Sequence, residues 1–249
     1  MLSAGMVSVT FRTFTPQKIL VVTAAAGLQD IEWGSDLHVP AGSIENAQSV
    51  RELTEQAGLR PISYGSYFFA GYNDETVFIE ILQTAKALGA RNIRIWAGKK
   101  GSREEDDRQK VVRSIRQCAA LCEKEGIVLS IEYHINTLTD QLHSALRLID
   151  EVAHENVRLY WQISSGIDDP VVNIQILRGV LPYLSNVHVN AASSNALIPL
   201  VEGEVMWRRV IDLLRQDGHD RSMLIEFTQN GSIEQFMDDA NTLCSWLYS

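Results

Sequence analysis

Short β-type runs alternate with helical stretches from one end of this sequence to the other, and no other feature restricts its fold as tightly. The β-type runs are Met6–Phe11, Asp30–Gly34, Ile62–Ser66, Asn92–Trp96, Val128–His134, Val157–Gln162, Asn186–Asn190 and Met223–Phe227. Helical stretches lie between them. Thr15-Pro16 supplies a cap and a first-turn proline for a helix reaching Ala26. Gly58 closes Ser43–Ala57, Gly89 closes Asp74–Leu88, and Gly126 closes Arg103–Glu125. Thr139–Val152, Asp169–Val180, Glu204–Gln216 and Ser232–Tyr248 complete the series. Eight strand–helix pairs in 249 residues make units of about 31 residues, the size of a (β/α)8 repeat. The expected fold class is α/β, a single (β/α)8 TIM barrel, with residues 1–249 as one domain. The competing open sheet usually carries a G-x-G-x-x-G turn after its first strand, and this chain has none.

Side chains alternate between the two faces of a strand, and here one of the faces is polar. Leu129, Ile131 and Tyr133 oppose Ser130, Glu132 and His134. Ile93 and Ile95 oppose Arg94 and Trp96. Val187 and Val189 oppose Asn186, His188 and Asn190, while Met223, Ile225 and Phe227 oppose Leu224 and Glu226. The apolar face suits a layer of helices. The other turns Glu32, Arg94, Glu132, Gln162, His188 and Glu226 toward the barrel interior. Buried charge without a partner is expensive, so these groups must pair, hold water or bind a metal. Most lie near the C-terminal ends of their strands, where barrel enzymes place their chemistry.

Glu132, Gln162, His188 and Glu226 together offer two carboxylates, an amide oxygen and an imidazole. Oxygen and nitrogen donors of this kind suit Mn, Mg, Co or Zn. A salt-bridge network of Arg94 with Glu32 and Glu132 is the alternative, and the residues alone leave both open. Two carboxylates beside a metal can also perform acid/base work. The metal polarises a carbonyl and its neighbouring hydroxyl, one carboxylate removes a proton and the other returns one. Candidate substrate contacts are Glu32, His38, Arg94, Trp96 and His134. Arg94 carries a fork of donors, although it could instead neutralise Glu32. His134 shares the face of Glu132, Trp96 shares that of Arg94, and His38 lies in the loop after the second strand. Trp33 alternates with Glu32 and belongs among the helices. Tyr64, Tyr67, Phe68 and Phe69 are core or an aromatic rim. Gly98–Arg103 reads as a solvated turn, with a phosphate cradle as its alternative. His143, His154 and His219 read as surface residues.

The net charge of -9 argues against nucleic acid as the partner. Three cysteines, Cys118, Cys122 and Cys244, form no Cys-x-x-Cys pair and no disulfide framework. The N-terminal segment lacks a basic stretch followed by a long apolar run, and no apolar run is long enough to span a membrane. A cytoplasmic protein with no membrane partner is expected.

Ile31-Glu32-Trp33-Gly34, Leu129–His134, Asn186–Val189, Leu224–Phe227 and the segment Glu202–Trp207 resemble the xylose isomerase-like barrel superfamily, specifically its sugar phosphate isomerase/epimerase members. The resemblance runs from the first strand to the eighth helix. It implies a metal-dependent isomerase or epimerase acting on a sugar, polyol or sugar phosphate through proton abstraction and a metal-stabilised enediolate. Glu132 and Glu226 would be catalytic. The family's Glu, Asp, His and Glu metal ligands map onto Glu132, Gln162, His188 and Glu226. Gln162 stands where the family has Asp and brings no negative charge, so the one divalent ion is expected to be weakly held. Ketose 3-epimerases of the superfamily place a His after that Asp and an Arg after the strand-seven His. Ile163-Ser164-Ser165 and Ala191–Ser194 occupy those regions, so neither contact carries over. The superfamily also includes keto-inositol-type dehydratases, and zinc-cluster DNA repair endonucleases that need more ligands than this barrel offers. A non-catalytic sugar-binding barrel with a degraded metal site is the reading from another class. The expected partner is a small carbohydrate, and the resemblance also allows a homodimer.

Overall fold

Eight parallel strands close on themselves in a computed structural model that describes residues 1–163, 167, 169–194 and 196–248, residue 105 without its side chain. They are β1 (Leu2–Val7), β2 (Asp30–Gly34), β3 (Arg60–Phe69), β4 (Asn92–Trp96), β5 (Val128–Glu132), β6 (Val157–Trp161), β7 (Leu184–Val189) and β8 (Arg221–Ile225). The ring runs β1-β8-β7-β6-β5-β4-β3-β2. Its seam is the pairing of β1 with β8, where Leu2 faces Arg221 and Met6 faces Ile225. On its other edge β1 pairs with β2, Gly5 opposite Asp30. A Cβ on Gly5 would stand 2.3 Å from the Asp30 carbonyl oxygen and 2.6 Å from Leu224, so only a hydrogen fits there. The outer layer is α1 (Pro16–Ala25), α2 (Ile44–Gln56), α3 (Glu75–Leu88), α4 (Arg108–Lys124), α5 (Leu142–Val152), α6 (Pro170–Val180), α7 (Glu204–Asp217) and α8 (Ile233–Tyr248). A short ribbon pairing Ala192–Ser193 with Ala196–Leu197 follows β7.

Local chemistry sets the helix ends. Thr15 Oγ1 accepts the Lys18 N–H at 3.3 Å ahead of Pro16. Asp74 accepts the Thr76 N–H at 2.9 Å, and α3 stops at Gly89 with φ 76°. Asp169 accepts from Val171 at 2.8 Å before Pro170 opens α6. Between strands and helices lies the main core, including Ile31, Trp33, Ile93, Ile95, Leu129, Ile131, Trp161, Val187, Val189, Met223 and Ile225. Trp33 faces the helices as expected, its indole N–H on Thr54 of α2 at 3.2 Å. Inside the barrel Val7, Val9, Tyr160 and Leu224 form a smaller apolar cluster.

Several expected boundaries move. The first strand is Leu2–Val7, and Ser8–Phe11 is a single 3-10 turn. All four turn residues are buried, so the apolar run there marked burial rather than extension. β3 is longer than Ile62–Ser66 and carries register shifts against both its neighbours. α4 begins at Arg108, not Arg103, because Ser102 spends its N–H on Asp140 at 3.2 Å. α5 begins at Leu142, not Thr139, because Thr139 is tied to Thr137 and to the Glu132 carbonyl. Among the described residues no helix is long and apolar enough to cross a membrane.

Candidate functional site

Strand alternation delivers Glu132, His188 and Glu226 to one place. Each is buried, and one ligand atom from each lies within 4.8 Å of the others. Glu132, the last residue of β5, is heavily engaged. Its Oε2 accepts the Trp96 indole N–H at 2.5 Å and an N–H from Arg94 Nη1. Its Oε1 accepts from Gln162 Nε2 at 2.8 Å. Arg94 also donates from Nε to Glu32 Oε1 at 2.9 Å, and Ser63 donates to Glu32 Oε2 at 2.8 Å. The pairing needs Gly65, since a Cβ there would lie 2.7 Å from both Arg94 Nη2 and Glu32 Oε1.

His188 sits between the carboxylates. Its Nδ1 is 3.2 Å from Glu226 Oε2 and 3.6 Å from Glu132 Oε1, and its Nε2 is 3.4 Å from Glu32 Oε1. Neither ring nitrogen is aligned for a hydrogen bond. Apart from the His188 ring at 3.2 Å, no described residue brings a donor to the Glu226 carboxylate. Its backbone is pinned instead, its N–H on the Val189 carbonyl at 2.9 Å and its own carbonyl accepting from Asn190 at 3.3 Å.

Three carboxylates thus face one guanidinium and one imidazole. Burial pushes the Glu132 carboxyl up, but Arg94 and then His188 outweigh it and hold the pKa at about 2. For Glu32 burial is again opposed, by Arg94 and then His188, and the carboxyl ends well below its usual range. Burial lowers His188, whereas Glu226 and Glu32 raise it well above an ordinary imidazole.

The donor set fits a divalent cation. A buried histidine with unaligned nitrogens beside two carboxylates is a donor set that an ion would complete, since buried polar atoms are rarely left without a partner. Nδ1 faces the space between Glu132 and Glu226. Nε2 faces Glu32, the position of the carboxylate that commonly orients a ligating imidazole. Gln162 presents its nitrogen, donating to Glu132 and also to the Tyr133 carbonyl at 3.2 Å. Its amide would have to turn before offering oxygen to an ion.

Above these groups lies an aromatic shelf. Trp96 packs against Tyr67, Phe69 and His134 with centroid distances of 5.1, 4.6 and 5.4 Å. His134 is half-buried, its Nδ1 2.7 Å from the Ile135 carbonyl oxygen. Arg12 reaches the shelf from the end of β1, donating to the Tyr67 hydroxyl at 2.7 Å and pairing with Asp36.

The model of the xylose isomerase-like TIM barrel family matches residues 20–247 of the chain. The chain belongs to this family. It is 31% identical to a 3-dehydroshikimate dehydratase of Bacillus anthracis over 152 residues, covering 53% of this chain and 54% of the relative. The chain therefore spans about half the length of the curated relative it matches. The probable 3-DHS dehydratase AsbF of Bacillus anthracis superposes with a TM-score of 0.82 at 21% identity, covering 98% of both chains. The 3-keto-D-glucoside 4-epimerase YcjR of E. coli gives 0.75 at 16% identity, covering 98% of this chain and 99% of that one. At these identities the two superpositions show the fold alone.

Within this xylose isomerase-like barrel, the structure brings together Glu32, Arg94, Trp96, Glu132, Gln162, His188 and Glu226, with His134 beside them. The salt-bridge network and the metal-type cluster, weighed above as alternatives, exist side by side and share Glu132. His38 is not joined to them. It is buried, its Nδ1 3.0 Å from Ser8 Oγ, and no hydrogen bond or ion pair among the described residues ties it to the acidic group. Tyr64 and Phe68 are fully buried core, whereas Tyr67 and Phe69 form the rim. The Gly98–Arg103 turn offers no open cradle, since Asp140 already takes the Ser102 N–H. Ser164 and Ser165 lie outside the described residues. Ser63 and Gly65 were missed. A glycine inside an otherwise regular strand was the available signal for a close approach.

Proposed function

We propose that the chain is an enzyme that removes a proton next to a carbonyl in a small polyhydroxylated carbon acid, and that the reaction continues by loss of water. A divalent ion held by Glu132, His188 and Glu226, with Gln162 turned to join them, would polarise the carbonyl and acidify the neighbouring C–H. The remaining work falls to side chains. Glu226, whose carboxylate is approached among the described residues by the His188 ring alone, is the base. Glu132 keeps Arg94 and Trp96 on Oε2 even with Gln162 turned away, and serves to hold rather than to take protons. His134, fixed against Trp96, supplies the proton that leaves with the hydroxyl as water. Arg94 and Trp96 keep Glu132 in place, and the shelf covers one side of the substrate.

The asymmetry between the two glutamates carries this reading. Epimerisation with two bases needs two carboxylates that can each take a proton, and here Arg94 and Trp96 both donate to Glu132, whereas Glu226 faces only the His188 ring among the described residues. The likeness to a 3-dehydroshikimate dehydratase supports elimination and makes 3-dehydroshikimate the first substrate to assay. Epimerisation of a keto-sugar is the second reading, because both glutamates lie within 3.6 Å of His188.

Glu226→Gln is the test. With Mn or Mg supplied, wild type should turn 3-dehydroshikimate into an aromatic product, followed by ultraviolet absorbance. The variant should lose roughly 10²–10⁴-fold in kcat while still binding substrate. Unchanged turnover would remove Glu226 as the base. Exchange of substrate hydrogen with solvent deuterium, without dehydration, would shift the reading to an epimerase. Binding with neither exchange nor turnover would leave a sugar-binding barrel.

A further inference from the structure

Phe227 directly follows the proposed base and has φ +62°. For a bulky L residue this left-handed conformation is strained, and such strain persists only where the surroundings impose it. The two preceding helix-facing residues of β8, Met223 and Ile225, are buried. Continued alternation would have buried Phe227 in the same row. The left-handed turn breaks the alternation and leaves the residue 37% exposed instead. The site thus tolerates backbone strain and an exposed aromatic residue at once.

The conformation is held on both sides. The Phe227 N–H donates to Thr10 Oγ1 at 3.1 Å, and that hydroxyl donates to the Ile225 carbonyl at 3.3 Å. Thr10 is itself buried in the turn after β1. Glu226, between the two anchored peptides, is fixed to the end of β7 as described above. A frayed strand end would show none of these contacts. In the ring order β8 stands four strands from β4, so Phe227 and Trp96 lie on opposite sides of the barrel mouth.

We infer that Phe227 is a substrate-contacting specificity residue, whose ring forms the wall opposite Trp96 and selects a cyclic substrate with a flat or apolar face over an open-chain polyol. This rests on the proposed placement of substrate over Glu226. On this reading the strained turn takes Phe227 out of the helix-facing row and leaves it exposed beside Glu226.

Phe227→Gly removes both ring and strain while keeping the backbone conformation accessible, and Phe227→Tyr keeps the ring. The probes are 3-dehydroshikimate as the cyclic ligand and D-fructose for comparison, with Kd from calorimetry and KM and kcat from turnover, all at saturating Mn. Phe227→Gly should raise Kd and KM for 3-dehydroshikimate about tenfold or more, with kcat nearly unchanged. Its preference for 3-dehydroshikimate over D-fructose should shrink, its Tm should not fall, and Phe227→Tyr should match wild type. Wild-type Kd and KM in Phe227→Gly would overturn the inference while leaving the proposed reaction intact. So would a collapse of kcat alone, which would make Phe227 a positioning residue for Glu226. Binding without turnover in wild type, lost in Phe227→Gly, would uphold Phe227 and sink the reaction. Wild type binding neither probe would overturn both.

Discussion

Gln162 donates a hydrogen bond where a metal site of this kind would gain from a charge. Gln162→Asp removes the donor from Glu132 and sets a second carboxylate beside it, which is unfavourable without a cation. With a cation the same change adds an anionic ligand. The variant should therefore melt lower than wild type in chelator and show the larger rise in Tm when Mn is added. An equal rise in both proteins would mean that position 162 does not meet the ion. His38 yields a prediction about pH. Burial, partly opposed by Asp36, holds its folded pKa below the ordinary 6.5. The unfolded chain then takes up the proton first, so this stability is complete above pH 6.5 and is lost as pH falls through the folded value. Stability measured by urea unfolding should drop below pH 6.5, and His38→Gln should flatten that drop. Period-two alternation made Glu132, His188 and Glu226 legible in the sequence, because it states which residues share a face. It carried no record of hydrogen-bond direction. The nitrogen end of Gln162 and the indole of Trp96 on Glu132 could not be read from it.

The loops at the mouth are fastened to the helices by buried polar groups, and these were the hardest features to anticipate. Asp239 of α8 accepts the Leu200 N–H at 2.8 Å, the Thr228 hydroxyl at 2.6 Å and Gln235 Nε2 at 2.9 Å. It thereby ties the segments following β7 and β8, which carry His188 and Glu226, to one helix. Asp239→Ala leaves two of these donors buried without a partner and should cost about 3 kcal/mol in urea unfolding. If it costs nothing, the loops are held by something else. Helix composition resembled a continuing helix through 103–107 and 139–141. The structure starts both helices later in the chain because Asp140 and Thr139 bind backbone and side chains locally. Short polar side chains compete with helix formation in this way. Periodicity does not register that competition, whereas the caps at Thr15 and Asp74 were plain.

The alternation of eight units stated the architecture of the whole molecule, since a crossover helix between parallel strands leaves few topologies. The point of closure depends on one residue. Gly5→Ala would drive a methyl group into the Asp30 backbone and Leu224, and should destabilise the barrel by about 3 kcal/mol or more. Wild-type stability in that variant would mean that the seam can open to accept it. The seam joins β1 to a strand that begins at Arg221, so the first strand finds one of its two neighbours only after the seven other strands have been made. On a ribosome β1 therefore emerges with an unmated edge and keeps it until β8 has followed. Chains released early would carry that edge into the crowd of the cell, where open edges recruit one another. Premature termination before β8 should accordingly yield aggregates rather than a smaller working protein.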